Sequence, residues 1–244
     1  MKKIIVTGGQ GYIGSVLVEL LISKDFEVTS FDINYYNDCL LKKDFNNPNI
    51  NYVKKDIRLT NNKDLENYDY LIHLAALSND PLGELNNSIT YEINYKATVR
   101  LAKLAKKSGI KRFIFISSQS AYGISKNNEE LDENAIKNPG TAYAESKLLA
   151  EQEILELNDN NFHVMCLRPS TVFGASNKLR CDIVFNNFIA CAYTKGKIEI
   201  YSDGLPWRPV IHIQDLCSAI IAGLICPEKL MSGEIYNVGI KNGN

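Results

Sequence analysis

The chain of 244 residues lacks the features that mark membrane, nucleic-acid-binding and secreted proteins. No apolar run reaches the roughly 20 residues that a membrane-spanning helix needs. Its 27 lysines and arginines are balanced by 28 acidic residues, with no basic run or basic-aromatic stripe to suit nucleic acid. The start, Met1-Lys2-Lys3, leads at once into a glycine-rich turn instead of the apolar core of a signal peptide. We therefore expect a cytoplasmic protein with neither a membrane nor a nucleic-acid partner.

Paired cysteines and repeats are also missing. No two of the six cysteines have the C-x-x-C spacing of a zinc or redox motif; they are Cys39, Cys166, Cys181, Cys191, Cys217 and Cys226. Most lie in apolar surroundings, which predicts reduced structural thiols and no metal site. No internal repeat is evident, and the length suits one large domain or one and a half.

The glycine-rich turn is the first motif with a chemical meaning. A short apolar run, Ile4 to Val6, precedes glycines at positions 8, 11 and 14, and a segment with helical apolar spacing follows. In such a strand–turn–helix unit, Gly8 permits the tight turn, Gly11 lets the backbone approach a pyrophosphate, and Gly14 allows close packing of the helix. The N–H groups at the start of the helix then face the phosphates. The pattern predicts a dinucleotide site.

An acidic residue indicates which dinucleotide binds. Residues 27–31 have the composition of a second strand, and Asp32 follows it, 18 residues beyond Gly14. A carboxylate at this distance accepts hydrogen bonds from an adenosine ribose and repels a 2′-phosphate. We expect NAD, with NADP as the alternative if a neighbouring basic residue restores phosphate binding.

Strand-like and helix-like segments alternate further along the chain. We place strands at 70–74, 112–117 and 162–167, and helices at 85–107 and 142–158. This alternation predicts an α/β protein with a Rossmann-type doubly wound parallel sheet. Ligands of such sheets bind at the carboxyl ends of the strands. Gly8, Asp32, Ala75 and Ser118 all follow predicted strands, so they should line one crevice.

The alternation loosens after residue 174. We predict an NAD-binding domain at 1–174, which holds the catalytic residues, and a smaller, partial substrate-binding cap at 175–244. Within the cap we expect a helix at 182–194, a strand at 198–201, a loop at 202–209, a strand at 210–213 and a helix at 214–225. The Asn-rich stretch 46–51 is predicted to be a loop.

Three residues suggest acid–base chemistry. Tyr143 and Lys147 are four residues apart on a predicted helix, so their side chains share a face. The ammonium of Lys147 favours the phenolate of Tyr143, whose pKa is ordinarily about 10, and so makes it a usable base near neutrality. The hydroxyl of Ser118 can hold a substrate oxygen meanwhile. Such an i,i+4 pair is common on helix surfaces, so its weight comes from the dinucleotide motif upstream.

Together these residues resemble the extended short-chain dehydrogenase/reductase family, and within it the NAD-dependent nucleotide-sugar epimerases and dehydratases of the UDP-glucose 4-epimerase type. The motifs that carry the resemblance are the glycine turn, Asp32, Asp56-Ile57-Arg58, His73-Leu74-Ala75-Ala76, Asn94, the set Ser118, Tyr143 and Lys147, and Leu167-Arg168-Pro169. The resemblance implies that Ser118, Tyr143 and Lys147 are catalytic. It implies cofactor contacts from Gly8, Gly11, Tyr12, Ile13, Gly14, Asp32, Asp56, Ile57, Leu74, Ala75, Ala76, Ser78, Asn94, Ser117, Tyr143, Lys147 and Pro169.

Two details refine what the resemblance implies about the chemistry. Ser117 and Ser120 rival Ser118, but the catalytic hydroxyl of the family lies four residues before the tyrosine of a Tyr-Gly pair, here Tyr122-Gly123. The 4,6-dehydratases of the family carry Asp-Glu directly after that hydroxyl. This chain has Gln119-Ser120, which has no carboxylate to eliminate water, so a dehydratase is disfavoured.

The resemblance also implies a nucleotide-sugar substrate and a homodimer. Substrate contacts would come from Ser118, Thr171, Asn187 and Arg208, the last gripping phosphate oxygens. Thr171 stands where many members have Asn. Members usually continue for tens of residues beyond the point where this chain ends, so we expect a shortened cap. Dimers of the family form through two helices, here 85–107 and 142–158, whose apolar residues allow it.

The expected activity is that of a nucleotide-sugar 4-epimerase. Tyr143 takes the proton of the C4 hydroxyl while hydride passes to NAD, and the hydride later returns to the other face of the 4-keto sugar. One alternative is a net redox enzyme, a 4-dehydrogenase or 4-keto reductase, which uses the same residues. Another is an inactive NAD-binding protein. The sequence does not assign the sugar or the nucleotide.

Overall fold

The computed structural model of the protein describes residues 1–35, 41, 47–78, 80–123, 130–200 and 209–240. Arg208 and Cys39 lie outside these ranges, as do most residues of the loop predicted at 202–209. Among the described residues, no helix combines the length and the apolar character that crossing a membrane requires.

A parallel sheet forms the centre of the protein. The strands of the described residues are β1 (Lys3–Thr7), β2 (Glu27–Asp32), β3 (Ile50–Lys54), β4 (Tyr70–His73), β5 (Arg112–Ile116), β6 (His163–Pro169), β7 (Thr171–Phe173), β8 (Val210–His212) and β9 (Glu234–Val238). Seven of these form the central sheet, in the order β3–β2–β1–β4–β5–β6–β9. The short strands β7 and β8 pair with each other in a separate parallel sheet. The predicted Rossmann-type doubly wound sheet is confirmed.

Helices cover both faces of the large sheet, because its strands are apolar on both sides. The helices are α1 (Gly14–Ile22), α2 (Asp80–Glu84), α3 (Asn87–Thr90), α4 (Thr98–Lys107), α5 (Ala142–Leu155), α6 (Val184–Lys195) and α7 (Ile213–Ile225). Alternate residues of β1 show the two layers: Ile4 and Val6 pack with α1 and α7, and Ile5 packs with α4 and α5. The burial of each of these side chains, which are fully buried, stabilises the folded state by about 1.5–3 kcal/mol.

The helical segment predicted at 85–107 begins earlier and is interrupted. Helix α2 starts at Asp80, and Asn86, in an extended conformation, caps α3 by accepting a hydrogen bond from the backbone of Ile89. A π-helical segment, Tyr91–Ala97, then leads into α4. The wider π turn changes the direction of its side chains, as such turns often do near functional sites. The spacing of apolar residues in the sequence does not indicate this π-helical segment.

Two other predictions of secondary structure need correction, and two strands were not predicted. The strand predicted at 198–201 is wrong for residues 198–200, whose isoleucines are exposed and lie on no sheet. Strand β3 begins inside the stretch predicted as an Asn-rich loop; it is an edge strand in which only Ile50 is buried. Strands β7 and β9 were not predicted, because one has three residues and the other buries none of its side chains fully.

The end of the described chain returns to the main sheet. Helix α7 packs against α1, and β9 extends the sheet beyond β6. These elements of the segment 175–244 therefore share the core with the predicted cofactor domain. The division at residue 174 stays a prediction, and it suits the segment 175–200 better than the segment 209–240.

Candidate functional site

The predicted site residues follow the strands at the carboxyl edge of the parallel sheet. The strand order runs backwards from β1 to β3 and forwards from β1 through β4, so the direction changes between β1 and β4. Loops diverge at such a point and leave a crevice, where ligands of doubly wound sheets bind. The loops after β1, β2, β4 and β5 all leave the sheet at this carboxyl edge.

The glycine turn after β1 is too tight for a Cβ at Gly8, Gly9 or Gly14. Gly8 has φ of +71°, and a Cβ there would lie 2.8 Å from the backbone nitrogen of Ala75. A Cβ at Gly14 would lie 2.2 Å from the carbonyl oxygen of Gly8. The sequence predicted that Gly14 lets the helix pack closely on the strand; in the structure, the nearest neighbours of Gly14 are backbone atoms of the turn itself. Gly8 also donates a hydrogen bond to the carbonyl of Phe31, 2.7 Å away, which ties the turn to β2.

The outer side of the turn has the space and the acceptor that a dinucleotide requires. Among the described atoms, a Cβ at Gly11 would meet only the carbonyl oxygen of Gly8, at 3.2 Å. Asp32, at the end of β2, accepts hydrogen bonds from the backbone of Gln10 at 3.0 Å and of Asn34 at 2.8 Å. The carboxylate is thereby held beside the glycine turn, where an adenosine ribose would lie. The residues present fit NAD.

Asp56 and Ile57, predicted to lie at the adenine, follow β3. Ile57 is buried, and Asp56 caps the short 3-10 turn Ile57–Leu59 through the backbone of Arg58. The side chain of Arg58 also binds both carboxylate oxygens of Asp56, and this bond lowers the pKa of the carboxyl group. The Asp56 carboxylate thus already has a partner within the chain.

The loop after β4 is fixed by Asn94 of the π-helical segment. The buried Asn94 amide accepts from the backbone nitrogen of Leu77 at 2.8 Å and donates to its carbonyl oxygen at 3.0 Å. These bonds hold the residues predicted to line the cofactor, namely Leu74, Ala75, Ala76 and Ser78. The role that Asn94 has in the structure is to position this loop.

Ser118 begins a 3-10 turn after β5. Its hydroxyl accepts a hydrogen bond from the backbone of Ser120 at 3.1 Å and lies 3.0 Å from the hydroxyl of Ser120. The backbone bond fixes the position of the oxygen and leaves its proton to point elsewhere. Ser117 is buried, and its hydroxyl finds no partner among the described residues. An unpaired buried hydroxyl at this edge suits a ligand contact.

Two caps fix the start of α5 and hence the place of Tyr143. The Thr141 hydroxyl accepts from the backbone of Ala144 at 3.2 Å, and the Glu84 carboxylate accepts from the backbone of Ala142 at 2.6 Å. Gly83 of α2 lies against Tyr143, since a Cβ on Gly83 would be 3.2 Å from the Cβ of Tyr143. The tyrosine therefore stands in the first turn of α5, at the positive end of the helix dipole.

Lys147 is buried beneath this turn. Its Nζ donates to the carbonyl oxygen of Ile116, the last residue of β5, at 2.8 Å and lies 4.7 Å from the centre of the Phe115 ring. Burial lowers the pKa of Lys147 from its ordinary value of 10.5 to about 7. The predicted set is thus brought together by one bond: α5 holds Tyr143 and Lys147, and Lys147 binds the strand end that leads directly to Ser118.

His73, at the end of β4, lies under the site. Its ring nitrogens share hydrogen bonds with the hydroxyls of Thr7, at 2.6 Å, and Thr98, at 2.8 Å. Complete burial lowers its pKa to about 3, with the charge of Lys147 as a smaller cause. The ring is therefore neutral and stacks on Phe115.

The segment after β7 reaches back to the glycine turn, which the sequence did not indicate. The Tyr12 hydroxyl donates to the carbonyl of Gly174 at 2.8 Å and accepts from the Asn186 amide at 3.1 Å. Ser176 donates to the carbonyl of Tyr12 at 2.7 Å. The guanidinium of Arg180 lies within 3.4 Å of both oxygens of Ser78. These contacts join the cap to two loops of the cofactor site.

The remaining predicted site residues are less closely tied to the crevice. Pro169 ends β6 and is buried, and Thr171 begins β7. The Asn187 amide donates to the carbonyl of Cys181 at 2.9 Å, within the cap. Arg208 lies outside the described residues. No cluster of three or more His, Cys, Asp or Glu side chains suited to a metal occurs in the described part of the chain.

Comparison with known proteins agrees with this geometry. The model of the NAD dependent epimerase/dehydratase family matches residues 4–239. The chain belongs to this family. Its expected membership among the extended short-chain dehydrogenases/reductases is confirmed, and NAD is the cofactor of the family.

Individual relatives carry out different reactions. A mouse protein described as dTDP-D-glucose 4,6-dehydratase is 29% identical over 98% of this chain and 68% of its own length. The solved UDP-N-acetylglucosamine 4-epimerase of Methanobrevibacter ruminantium M1 is 29% identical, with a TM-score of 0.82 over 98% of this chain and 76% of its own. The UDP-glucuronic acid 4-epimerase of Bacillus cereus, solved with UDP-glucuronic acid and NAD, is 26% identical, with a TM-score of 0.84 over 98% and 78%. The family therefore fixes the chemistry broadly, as that of an epimerase or dehydratase.

The burial of Lys147 predicts a pH-dependent contribution to stability. Between pH 7 and 10.5 the unfolded chain binds the lysine proton and the folded chain does not, so the folded state gains stability as the pH rises. Below pH 7 the full cost of burying the charge applies. Relative to Lys147→Met, the free energy of unfolding of the wild-type chain should rise between pH 7 and 9.5 by up to about 1.4 kcal/mol per pH unit.

Urea denaturation without NAD at a series of pH values measures this difference. The control is Lys24→Met, which removes an exposed lysine and should give a curve parallel to the wild type. Parallel curves for Lys147→Met and the wild type would show that the lysine stays charged in the folded chain throughout, and would contradict the lowered pKa of Lys147.

Proposed function

We propose that the protein is an NAD-dependent nucleotide-sugar 4-epimerase. The observation that carries the proposal is the bond from Lys147 to the end of β5, which ties the Tyr143 helix to Ser118 beside the glycine turn. When bound, NAD supplies the acceptor for the hydride of the sugar C4 and gives that hydride back. The residues of the chain supply the proton transfer and the grip on the sugar oxygen.

Tyr143 is the proposed base and acid. Its phenolate would take the proton of the C4 hydroxyl and return it after the 4-keto sugar has turned. Two features of the fold favour the phenolate: the N-terminal end of α5 and the Lys147 ammonium one helical turn away. Since burial lowers the pKa of Lys147 to about 7, the lysine can take up a proton near neutrality, and a Tyr143 phenolate one helical turn away would favour its charged form.

Ser118 is the proposed donor to the C4 oxygen. The backbone of Ser120 already positions its oxygen. Its O–H group, which donates to the Ser120 hydroxyl, can turn to donate to a substrate oxygen instead. Such a donor stabilises the alkoxide that forms as Tyr143 takes the proton. Thr171, Asn187 and Arg208 are proposed as further substrate contacts, with Asn187 exchanging its bond to Cys181 for one to the substrate.

The dehydratase relatives raise a rival reaction, which the residues after Ser118 disfavour. Elimination of water across C5 and C6 needs an acid and a base in addition to the tyrosine. The turn that starts at Ser118 continues with Gln119 and Ser120, and neither side chain has a carboxylate. An epimerase needs no such pair, so the same turn is complete for that reaction.

Tyr143→Phe should abolish turnover without affecting the cofactor. We expect the purified variant to bind NAD like the wild type, since the glycine turn and Asp32 are unchanged, and to lose at least about 100-fold in turnover. The assay incubates the protein with a panel of UDP- and dTDP-sugars and follows the NADH absorbance together with the identity of the sugar product.

The matched control is Tyr91→Phe, in which a phenol close to the same helix is removed. Tyr91 donates to Glu145 at 2.6 Å, a bond that raises its pKa to about 12, so it is no base near neutrality and its loss should leave turnover intact. Undiminished turnover in Tyr143→Phe would sink the mechanism. For the wild type, stoichiometric NADH with a 4-keto product and no epimer would identify a dehydrogenase. A wild type that turns over none of the sugars would identify an inactive NAD-binding protein.

We further infer that the protein forms a homodimer through α4 and α5. The apolar residues that suggested this contact in the sequence, such as Leu101 and Ile154, are buried against the sheet of their own chain. The side chains that the two helices expose are charged or polar: α4 presents Arg100, Lys103 and Lys107, α5 presents Glu145 and Gln152, and Glu156 follows α5 directly. A two-fold axis that sets α4 on the partner's α5 would pair opposite charges twice.

The dimer should therefore weaken with salt. Sedimentation equilibrium at low and high ionic strength measures it, with the expected shift toward monomer as screening increases. A monomer at every concentration and salt would contradict the inference.

A further inference from the structure

We propose that the hydroxyl of Tyr122 is a positioning group that holds Ser118 in register with Tyr143 and Lys147. This inference rests on the proposed function for the part that concerns turnover. Tyr122 is the last residue of the 3-10 turn that Ser118 begins, Gln119–Tyr122. An anchor at Tyr122 therefore fixes the far end of the short segment on which the Ser118 hydroxyl is mounted.

The Tyr122 side chain lies at the centre of a buried polar network. Its hydroxyl accepts from Nη1 of Arg168 at 2.7 Å and donates to Oδ1 of Asn237 at 2.8 Å. The guanidinium carbon of Arg168 also lies 5.1 Å from the centre of the Tyr122 ring. Arg168 is 1% exposed and Tyr122 is 6% exposed, so no solvent competes for these bonds.

Arg168 connects this anchor to the helix of the other two residues. Its Nε donates to Oε2 of Glu151 at 3.0 Å, and its Nη2 forms an ion pair with the same carboxylate. Glu151 is buried in α5, one helical turn beyond Lys147. The path Ser118–Tyr122–Arg168–Glu151–Lys147 thus closes a loop with the bond from Lys147 to the end of β5.

Asn237 adds the outer strand of the sheet to the network. Its backbone nitrogen donates to the Glu133 carboxylate at 2.7 Å, and its side-chain amide donates to the carbonyl of Leu131 at 3.2 Å. The Tyr122 hydroxyl is the group that joins this strand, β9, to Arg168 on β6. Three segments, the 3-10 turn, β6 and β9, therefore meet at the phenol oxygen, and α5 joins them through Arg168.

The energetics favour a positioning role over simple stabilisation. Burying an ion pair costs most of what its attraction returns, so an apolar pair of the same volume would serve stability as well. What a satisfied polar network adds is a single geometry, because its donors and acceptors are paired at fixed distances; Nη1 of Arg168 also donates to the carbonyl of Glu133, at 3.4 Å. Removing the Tyr122 hydroxyl leaves Arg168 with Glu151 but frees the turn to shift. Misplacement of a reacting group by about 1 Å can cost 100-fold in rate.

The test combines Tyr122→Phe, Ser118→Ala and the double variant, and measures kcat, KM and NAD affinity. We expect Tyr122→Phe to lower kcat by about tenfold or more, with KM for the nucleotide sugar changed less than about threefold and NAD affinity unchanged. Because Tyr122 acts through Ser118, the double variant should be no slower than Ser118→Ala alone. Tyr68→Phe is the matched control: it removes one hydrogen-bonded hydroxyl near the opposite edge of the sheet and should leave kcat unchanged.

Hydrogen exchange of the backbone amides in residues 117–123 gives a second readout that needs no turnover. Tyr122→Phe should speed exchange there and leave the glycine turn unchanged. Three outcomes would overturn the positioning role. They are a Tyr122→Phe variant with the kcat of the wild type, a Tyr122→Phe substitution that lowers kcat as much in the Ser118→Ala background as in the wild type, and unchanged exchange at 117–123 in Tyr122→Phe. If the wild type turns over no nucleotide sugar, the proposed function fails, and the exchange measurement alone decides on the anchor.

Discussion

The hydrogen bond from Lys147 to the carbonyl of Ile116 determines how the three predicted catalytic residues are placed relative to one another. It joins helix α5 to the end of β5, and it does so in the interior, where a lysine is costly to bury. Tyr143 stands one helical turn before Lys147 and Ser118 two residues after Ile116, so one bond relates all three. The Thr141 and Glu84 caps fix where the helix begins, and the Asn94 amide fixes the neighbouring loop after β4. If α5 could slide along the sheet, these contacts would not fix the positions of the site residues relative to one another.

The cofactor half of the crevice is built by a different constraint, the lack of side chains. Gly8 and Gly14 are in contact with backbone that leaves no room for a Cβ, whereas a Cβ at Gly11 would meet only the carbonyl oxygen of Gly8, at 3.2 Å. The turn is in turn locked to the cap by Tyr12, Ser176 and Asn186. Cofactor and substrate regions therefore share a wall, which suits an enzyme whose cofactor must stay in place while the sugar turns over.

How much the sequence reveals follows the range of the interactions. The glycine turn, the strand ends and the Tyr143–Lys147 spacing are local patterns, and the fold and family they predict are confirmed. Edge strand β3 and terminal strand β9 were not predicted from the sequence, because they bury too few side chains to leave a periodic apolar pattern. The π-helical segment around Asn94 and the Arg168–Glu151 pair escaped because their partners are remote in the chain. Arg168 was noted as part of a motif, yet only the structure gives it a partner.

In the proposed mechanism, hydride leaves and returns to the same sugar under the control of Tyr143. The most direct test uses the nucleotide sugar that the protein turns over, labelled with deuterium at C4, in the presence of excess unlabelled NADH. The epimeric product should keep its deuterium at C4. Deuterium that accumulates in free NADH, or an epimer whose label has been exchanged for hydrogen, would contradict the mechanism.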